Sequence, residues 1–367
     1  MDINNLTLRR DEEAVLALRS LYEQHGYTKY RMSKFEEYDF YGENRSFLQT
    51  GSILTFTDLS GKLMALKPDI TLSIVKNARD GQTAKVYYSE NVYRPNDGGR
   101  EFREIMQVGL ECIGPQDAFT TAEVIFLAES SLKLLSKKSI LDISHMGLLL
   151  GLLDETGLNA AQRAKLTELV SHKNAHEVRA LCAENGVSEE LAGKLAALTT
   201  IYGPLETALE KARALDVNGT THAALRELGE VFATVRAMGG GDSVNLDFSI
   251  ASDMNYYNGV IFQGFVEGVP AGVLSGGRYD RLLPRFGLGG GAVGFAVYLG
   301  LLERYLTSES GFDAEALLLY NEGDDPRLVA QEAARLRGIY GSVRVQQRGG
   351  EAPRCRETIN FSQEAAK

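Results

Sequence analysis

Alternation of apolar and polar positions is clearest between Ala84 and Gly114, where the chain reads as a hairpin of two long strands. Lys85-Val86-Tyr87-Tyr88 and Val92-Tyr93 run outward, and a loop with Pro95, Asn96, Asp97, Gly98 and Gly99 turns the chain. Glu101 to Ile113 then returns. Helical spacing of Val15, Leu16, Leu18, Leu21 and Tyr22 predicts a helix over Arg10–Gly26, stopped by the glycine. An aromatic and acidic segment (Phe35, Tyr38, Phe40, Tyr41) follows. Next comes a strand-turn-strand from Ile53 to Pro68, turned at Asp58-Leu59-Ser60-Gly61. Pro68 opens a helix with Ile70, Ile74 and Val75 as its apolar stripe. Beyond the hairpin the pattern predicts a helix over Ala118–Ser136 and a buried strand over Ser139–Ser144.

From about Gly147 to Met238 the chain turns Ala/Leu/Glu-rich with helical spacing throughout, which predicts several short helices inserted between two halves of one sheet domain. Gly239-Gly240-Gly241 ends the insertion. Strands are expected at Val244–Phe248, Tyr256–Glu267 and Ala271–Ser275, followed by a closing helix over Ala292–Thr307. The tail reads as a β-α-β fragment: Ala316–Tyr320, Pro326–Gly338 and Ser342–Gln347. Residues after Gly349 are expected to be frayed or loosely docked. The domains are thus residues 1–310, with the helical insertion at about 147–240, and a short α/β fragment at 311–367.

Composition narrows the classes. The chain has 367 residues, 44% hydrophobic and 24% charged, ordinary for a globular protein with a sizeable core. No apolar run approaches the ~18 residues of a membrane helix, and the N-terminus has no apolar signal core. Three dispersed cysteines, Cys112, Cys182 and Cys355, point to reduced thiols in a cytoplasm, and metal-ligand spacing is absent. His172 and His176, four apart, read as surface histidines for want of a third ligand. The net charge of −10 leans away from a tRNA-gripping surface, because neutralising phosphate dominates such affinity.

Gln107 and Glu111 lie four apart on the returning strand, so both point to one face. A buried amide and carboxylate are costly unless something polar sits over them, and a small-molecule ammonium is one such thing. Gln107-Val108-Gly109-Leu110-Glu111, after a loop rich in Arg and Gly, resembles the second signature motif of class II aminoacyl-tRNA synthetases in the histidyl-tRNA synthetase form. Leu66-Lys67-Pro68-Asp69-Ile70-Thr71 resembles that family's Arg-Pro-Glu-x-Thr segment. Asn255-Tyr256-Tyr257-Asn258-Gly259 and Ser275-Gly276-Gly277-Arg278-Tyr279-Asp280 resemble its histidine-specific elements. The resemblance covers roughly residues 1 to 310. It implies an α+β fold, a six- or seven-stranded antiparallel sheet flanked by helices, paired as a homodimer near Phe35–Tyr41. It also implies a histidine pocket formed by Asp69, Thr71, Gln107, Glu111, Tyr256 and Tyr257.

Three departures bear on activity. Asn91 stands where the family has the arginine that holds the α-phosphate, Ser252 where it has a second arginine, and Leu301 where it has a third, with Gly300 in the place of a glutamate. Fixed guanidinium groups stabilise charge developing on the phosphoryl group during amino-acid activation, so their loss removes the electrostatics of that reaction. Arg94, Arg100 and Arg103 are close enough for one to substitute. The pattern is similar to the histidyl-tRNA synthetase paralogues that serve as the regulatory subunit of ATP phosphoribosyltransferase. The implied function is non-catalytic, with no cofactor and no metal. The implied partners are a short-form catalytic subunit, a second copy of the chain, and L-histidine as effector. The alternative is an active histidyl-tRNA synthetase, or a paralogue that adenylates another acceptor.

Overall fold

The computed structural model describes residues 10–48, 52–96, 101–250, 256–306 and 312–362. The chain divides into two units, Met1–Leu306 and Thr307–Lys367.

In the first unit, α1 (Arg10–Gln24) leads to β1 (Thr28–Lys29), β2 (Phe35–Glu37) and α2 (Tyr38–Glu43). The expected strand-turn-strand is β3 (Thr55–Thr57) and β4 (Leu63–Leu66). Asp58 makes the turn by accepting the Ser60 and Lys62 amides on its Oδ1. A short helix α3 (Thr71–Asn77) precedes the long hairpin, β5 (Ala84–Pro95) and β6 (Phe102–Gly114). Helix α4 (Ala118–Leu135) starts at Asp117, whose side chain accepts the Thr120 amide at 2.7 Å. Strand β7 (Ser139–His145) leads into the helical segment: α5 (Met146–Asp154), α6 (Ala160–Ser171), α7 (Ala175–Glu184), α8 (Glu189–Leu198), β8 (Tyr202–Pro204), α9 (Leu205–Ala212) and α10 (Gly219–Ala237). Capping boxes at Asn159/Gln162 and Asn218/Thr221 set two of these helix starts. The unit closes with β9 (Val244–Asp247), β10 (Val260–Val266), β11 (Leu274–Arg278), β12 (Gly291–Tyr298) and α11 (Leu299–Leu306).

Nine strands form one sheet in the order β1-β5-β6-β12-β11-β10-β7-β9-β8. The six from β5 to β7 are antiparallel, which is the expected core. The expectation of six or seven strands falls short because β1 and β9 add parallel pairs at either end and β8 extends β9. Strands β1 and β8 have two and three residues, too few to carry a period. One face of the sheet packs on α1 and α4, where Tyr22 meets Phe295 edge-on at 6.0 Å. Strands β2, β4 and β3 form a separate small antiparallel sheet.

The helix expected over Ala292–Thr307 is corrected. Its first half is β12, paired with β6 and β11, and helix begins only at Leu299. Residues Gly291–Val297 are all but completely buried, so the strand reads as an unbroken apolar run that periodicity alone cannot distinguish from a buried helix. The strand expected from Tyr256 begins at Val260.

The second unit holds β13 (Ala314–Tyr320), α12 (Pro326–Tyr340), β14 (Val343–Gln347) and β15 (Cys355–Asn360) in a parallel sheet of order β14-β13-β15. The expected fraying after Gly349 is overturned. Strand β15 pairs with β13, Leu318 opposite Ile359, and Phe361 is buried in that unit's own core. Its residues CRETIN are mostly exposed at a sheet edge, so no hydrophobic alternation marks them.

Candidate functional site

Alternation along β6 sends Gln107, Gly109 and Glu111 to the sheet face away from α1 and α4, while Val108, Leu110 and Cys112 face the helices. The register then sets the floor of a cavity: Gly109 lies opposite Tyr88, Glu111 opposite Gly294, and Gly294 opposite Gly277. A Cβ on Gly294 would fall 1.7 Å from Glu111 Oε2, one on Gly109 2.5 Å from the Tyr88 hydroxyl, and one on Gly277 2.7 Å from the Tyr257 ring. Three glycines thus let three polar side chains lie against the sheet.

All six residues expected in the pocket, Asp69, Thr71, Gln107, Glu111, Tyr256 and Tyr257, line this one cavity. Tyr88, Arg94, Ser275 and Tyr298 line it as well, and its free space is about 30 Å³, room for about one water. Glu111 is buried. Its Oε1 accepts from Thr71 Oγ1 at 2.7 Å and its Oε2 from the Tyr279 hydroxyl. Burial pushes its carboxyl up to about 8, the two hydrogen bonds opposing only part of that cost, and nearby Asp69 adds to it. Tyr256 packs edge-on against Tyr257 at 4.6 Å and lies 5.6 Å from Tyr279. Burial raises the Tyr88, Tyr256, Tyr257 and Tyr279 hydroxyls well above the ordinary phenol range, so all four keep their O–H, the first three on the cavity lining and Tyr279 on Glu111.

Asp69 sits at the start of α3, where its Oδ1 accepts the Leu72 amide at 2.9 Å. Arg94 is 3.6 Å from its Oδ2, and Arg94 Nε donates to the Pro68 carbonyl at 2.7 Å. Desolvation still outweighs the guanidinium, and the Asp69 carboxyl is raised. Gln107 is 3% exposed, and its Nε2 has no acceptor among the described residues.

Sequence reasoning placed Asn91 at the phosphate-holding position, and the structure turns it away from the cavity. Its cross-strand partner is Met106 and its amide donates to Glu104. Arg94, three residues on, occupies the cavity face with Tyr88. The two-residue period of β5 from Tyr88 carries that signal. Tyr279 belongs to the Gly-Gly-Arg-Tyr-Asp segment but was not among the expected ligands. The next residue, Asp280, locks that turn by accepting the Ala292 amide at 2.9 Å and Arg278 Nε at 2.8 Å. Leu301 stands on α11, 47% exposed, while Ser252 and Asn255 lie outside the described residues.

His172 ends α6 and His176 lies in α7, so they do not share a helix face. Among the described residues no group of His, Cys, Asp and Glu could hold a metal, and no helix is long and apolar enough to cross a membrane.

An antiparallel sheet backed by helices, with a polar cavity over the strand that carries Gln107 and Glu111, defines a class II synthetase-type domain. The family model for histidyl-tRNA synthetase matches residues 1–302. An ATP phosphoribosyltransferase regulatory subunit from Clostridium kluyveri is 30% identical over 340 residues, 89% of this chain and 87% of that protein. This chain belongs to the histidyl-tRNA synthetase family, among the ATP phosphoribosyltransferase regulatory subunits. The crystal structure of an ATP phosphoribosyltransferase regulatory subunit/histidyl-tRNA synthetase from Bacillus halodurans superposes with a TM-score of 0.76 at 26% identity, covering 96% of this chain and 93% of that one. A chain of an ATP phosphoribosyl transferase complex from Thermotoga maritima shares the fold, with a TM-score of 0.62 at 20% identity over 79% of this chain and 97% of that one.

Proposed function

We propose that the chain is the non-catalytic regulatory subunit of an ATP phosphoribosyltransferase. It assembles with a short-form catalytic subunit, activates it, and carries L-histidine as the feedback signal in the cavity over β6. The observation that carries the ligand reading is Glu111, a buried carboxyl held by Thr71 and Tyr279 that faces Gln107 and a ring of tyrosine hydroxyls. An ammonium group is the partner this arrangement lacks, and charge-assisted hydrogen bonds to it would offset the burial of the carboxylate. Tyrosine hydroxyls from Tyr256 and Tyr257 suit the ring nitrogens of an imidazole.

Two features favour regulation over amino-acid activation. Among the described residues that line the cavity Arg94 is the one cation, and it is already engaged by Asp69 and Pro68. Leu301 and Asn91 supply no positive charge in place of the family's arginines. Free thiols at Cys112, Cys182 and Cys355 suit a cytoplasmic location. The exposed Phe35, packed edge-on against Phe56, suits self-association through β2 and α2.

A cavity with room for one water admits histidine only if side chains withdraw. Tyr256, half-buried and stacked over the site, is placed to do so. Histidine would then favour whichever conformation holds the cavity open, and the same free energy would be felt at the partner surface. Two assays test the function. Histidine-dependent ATP–pyrophosphate exchange is expected to be absent. Addition of the chain to the catalytic subunit is expected to raise transferase activity and make it histidine-sensitive. Exchange activity, or a catalytic subunit indifferent to the chain, would refute the proposal.

A further inference from the structure

We infer that the outward face of α10, from His222 to Ala233, is a docking groove for a helix of the short-form catalytic subunit, one that carries an apolar ridge flanked by charges of both signs. The inference rests on the regulatory reading and names the surface through which that regulation would pass.

Helix α10 turns its inward stripe, Ala224, Leu228, Val231 and Val235, into the core of the first unit. Its outward stripe lies beside the turn that follows α9 (Arg213–Leu215), and the two enclose an open groove of about 510 Å³. Leu225, Gly229 and Ala233, spaced four apart, make its floor. From His222 to Ala233 the floor runs about 17 Å along the helix, or about three turns. A row of small side chains four apart is the trough into which the corresponding ridge of a second helix packs.

The glycine at the centre of that floor has no explanation within the chain. A glycine inside a helix costs stability relative to alanine. Gly151 on α5 has an internal reason, because a Cβ there would lie 2.8 Å from Thr221 Cγ2. At Gly229 a Cβ would meet only Leu209 Cδ2, at 3.8 Å, an ordinary contact, and the residue lies within the regular helix. The room that a side chain would take opens into the groove, and a second backbone comes nearest where a helix shows it a glycine.

The rim is electrically balanced, with Arg213 and Arg226 against Asp216 and Glu230. On a chain of net charge −10, this face presents no excess of acid to a partner. It suits neither a simple anion nor a simple cation, and it matches a helix with both signs beside its ridge. Arg226 lies 3.9 Å from Glu230, too long for a hydrogen bond, and both side chains are exposed, so each can take a new partner at little cost. The same helix carries Glu227, which holds Arg278 at 3.4 Å, next to the Tyr279 that donates to Glu111. A helix seated on Arg226 and Gly229 therefore rests on the element tied to the histidine cavity, as the coupling of the two sites requires.

The test is calorimetric titration of the full chain with the purified short-form catalytic subunit. Gly229→Leu and Ala233→Leu fill the trough from its floor, and both are expected to weaken association about 10- to 100-fold. Ala233 is exposed, so its variant keeps the fold whatever becomes of Gly229→Leu. Ala223→Leu places the same side chain at an exposed position of α10 outside the groove and should leave the affinity within about twofold of wild type. Melting curves establish that each variant is folded, and L-histidine should bind each within about threefold of wild type. If both groove variants associate and activate like wild type, or if Ala223→Leu weakens association as much as they do, α10 is not the docking surface, although the regulatory reading stands. If the groove variants change the sedimentation of the chain by itself, a second copy fills the trough and the inference is overturned. If wild type neither binds nor activates the catalytic subunit, the regulatory reading is refuted and this inference goes with it.

Discussion

Glu111 is the side chain whose chemistry reaches furthest. With its folded pKa near 8 against an ordinary 4.5, it stays protonated in the native state over a range in which the unfolded chain has already ionised. Below about pH 4.5 both states hold the proton and the native carboxyl costs nothing. Between 4.5 and 8 unfolding releases a proton, so its contribution to stability declines as pH rises, by a total on the order of a few kcal/mol. Glu111→Gln keeps the shape and the contact with Tyr279 but cannot ionise. Its urea midpoint is therefore expected to gain on wild type as pH is raised from 5 to 9, and a constant gap would contradict the raised pKa. Ligand binding runs the other way. An ammonium beside Glu111 favours the carboxylate, so L-histidine should expel a proton, and the wild-type affinity relative to Glu111→Gln should climb by up to tenfold per pH unit below 8. Calorimetry in buffers of different ionisation enthalpy reads that proton directly, and a buffer-independent enthalpy at pH 7 would remove Glu111 from the site. That the six side chains converge on one cavity was legible only through the matched family segments, since Tyr256 and Tyr257 lie in no strand or helix whose period could place them. Arg94 stood only as one of three arginines close enough to substitute, because Asn91 held the motif position; the period of β5 counted from Tyr88, and its pairing with β6, show which of the two turns inward.

At the scale of the element, β12 is the instructive case. Its apolar run, AVGFAV, satisfies strand and helix alike, and burial on both faces erases the alternation that would decide between them. What settles it is pairing, with Glu111 opposite Gly294 and Gly294 opposite Gly277. That row also explains the glycine. A methyl group at residue 294 would lie 1.7 Å from Glu111 Oε2, so the carboxylate must leave its seat. Gly294→Ala is expected to destabilise the fold by about 1–3 kcal/mol and to abolish L-histidine binding. A nearby control such as Gly287→Ala, outside the cavity, should lose stability through its positive φ of 68° while retaining the ligand. Equal binding by Gly294→Ala and wild type would mean that Glu111 is not seated as described. The hairpin of β5 and β6 and the helical insertion could be read from periodicity, since long amphipathic elements carry many repeats of it. Strands β1, β8 and β15 could not, being very short or confined to an exposed edge.

For the molecule as a whole, regulation requires that the cavity and the partner surface respond to one another, and the fold offers a physical connection between cavity and insertion. Successive residues of one turn divide between them. Tyr279 donates to Glu111 in the cavity, while Arg278 reaches Glu227 on α10 at 3.4 Å, which also takes His145 at 3.2 Å. A ligand that draws Glu111 toward its ammonium therefore pulls on a turn fastened to the helical insertion. If this fastening carries the histidine signal, Glu111→Gln and Glu227→Gln should fail in different ways. Glu111→Gln should activate the catalytic subunit normally yet need at least tenfold more histidine for half-inhibition, because the ligand binds more weakly. Glu227→Gln leaves the cavity side chains in place, so histidine should bind within about threefold of wild type while maximal inhibition shrinks. Steady-state transferase assays with paired calorimetry separate the two. Should Glu227→Gln bind and inhibit like wild type, the turn is a structural clasp and the signal leaves the cavity by another element.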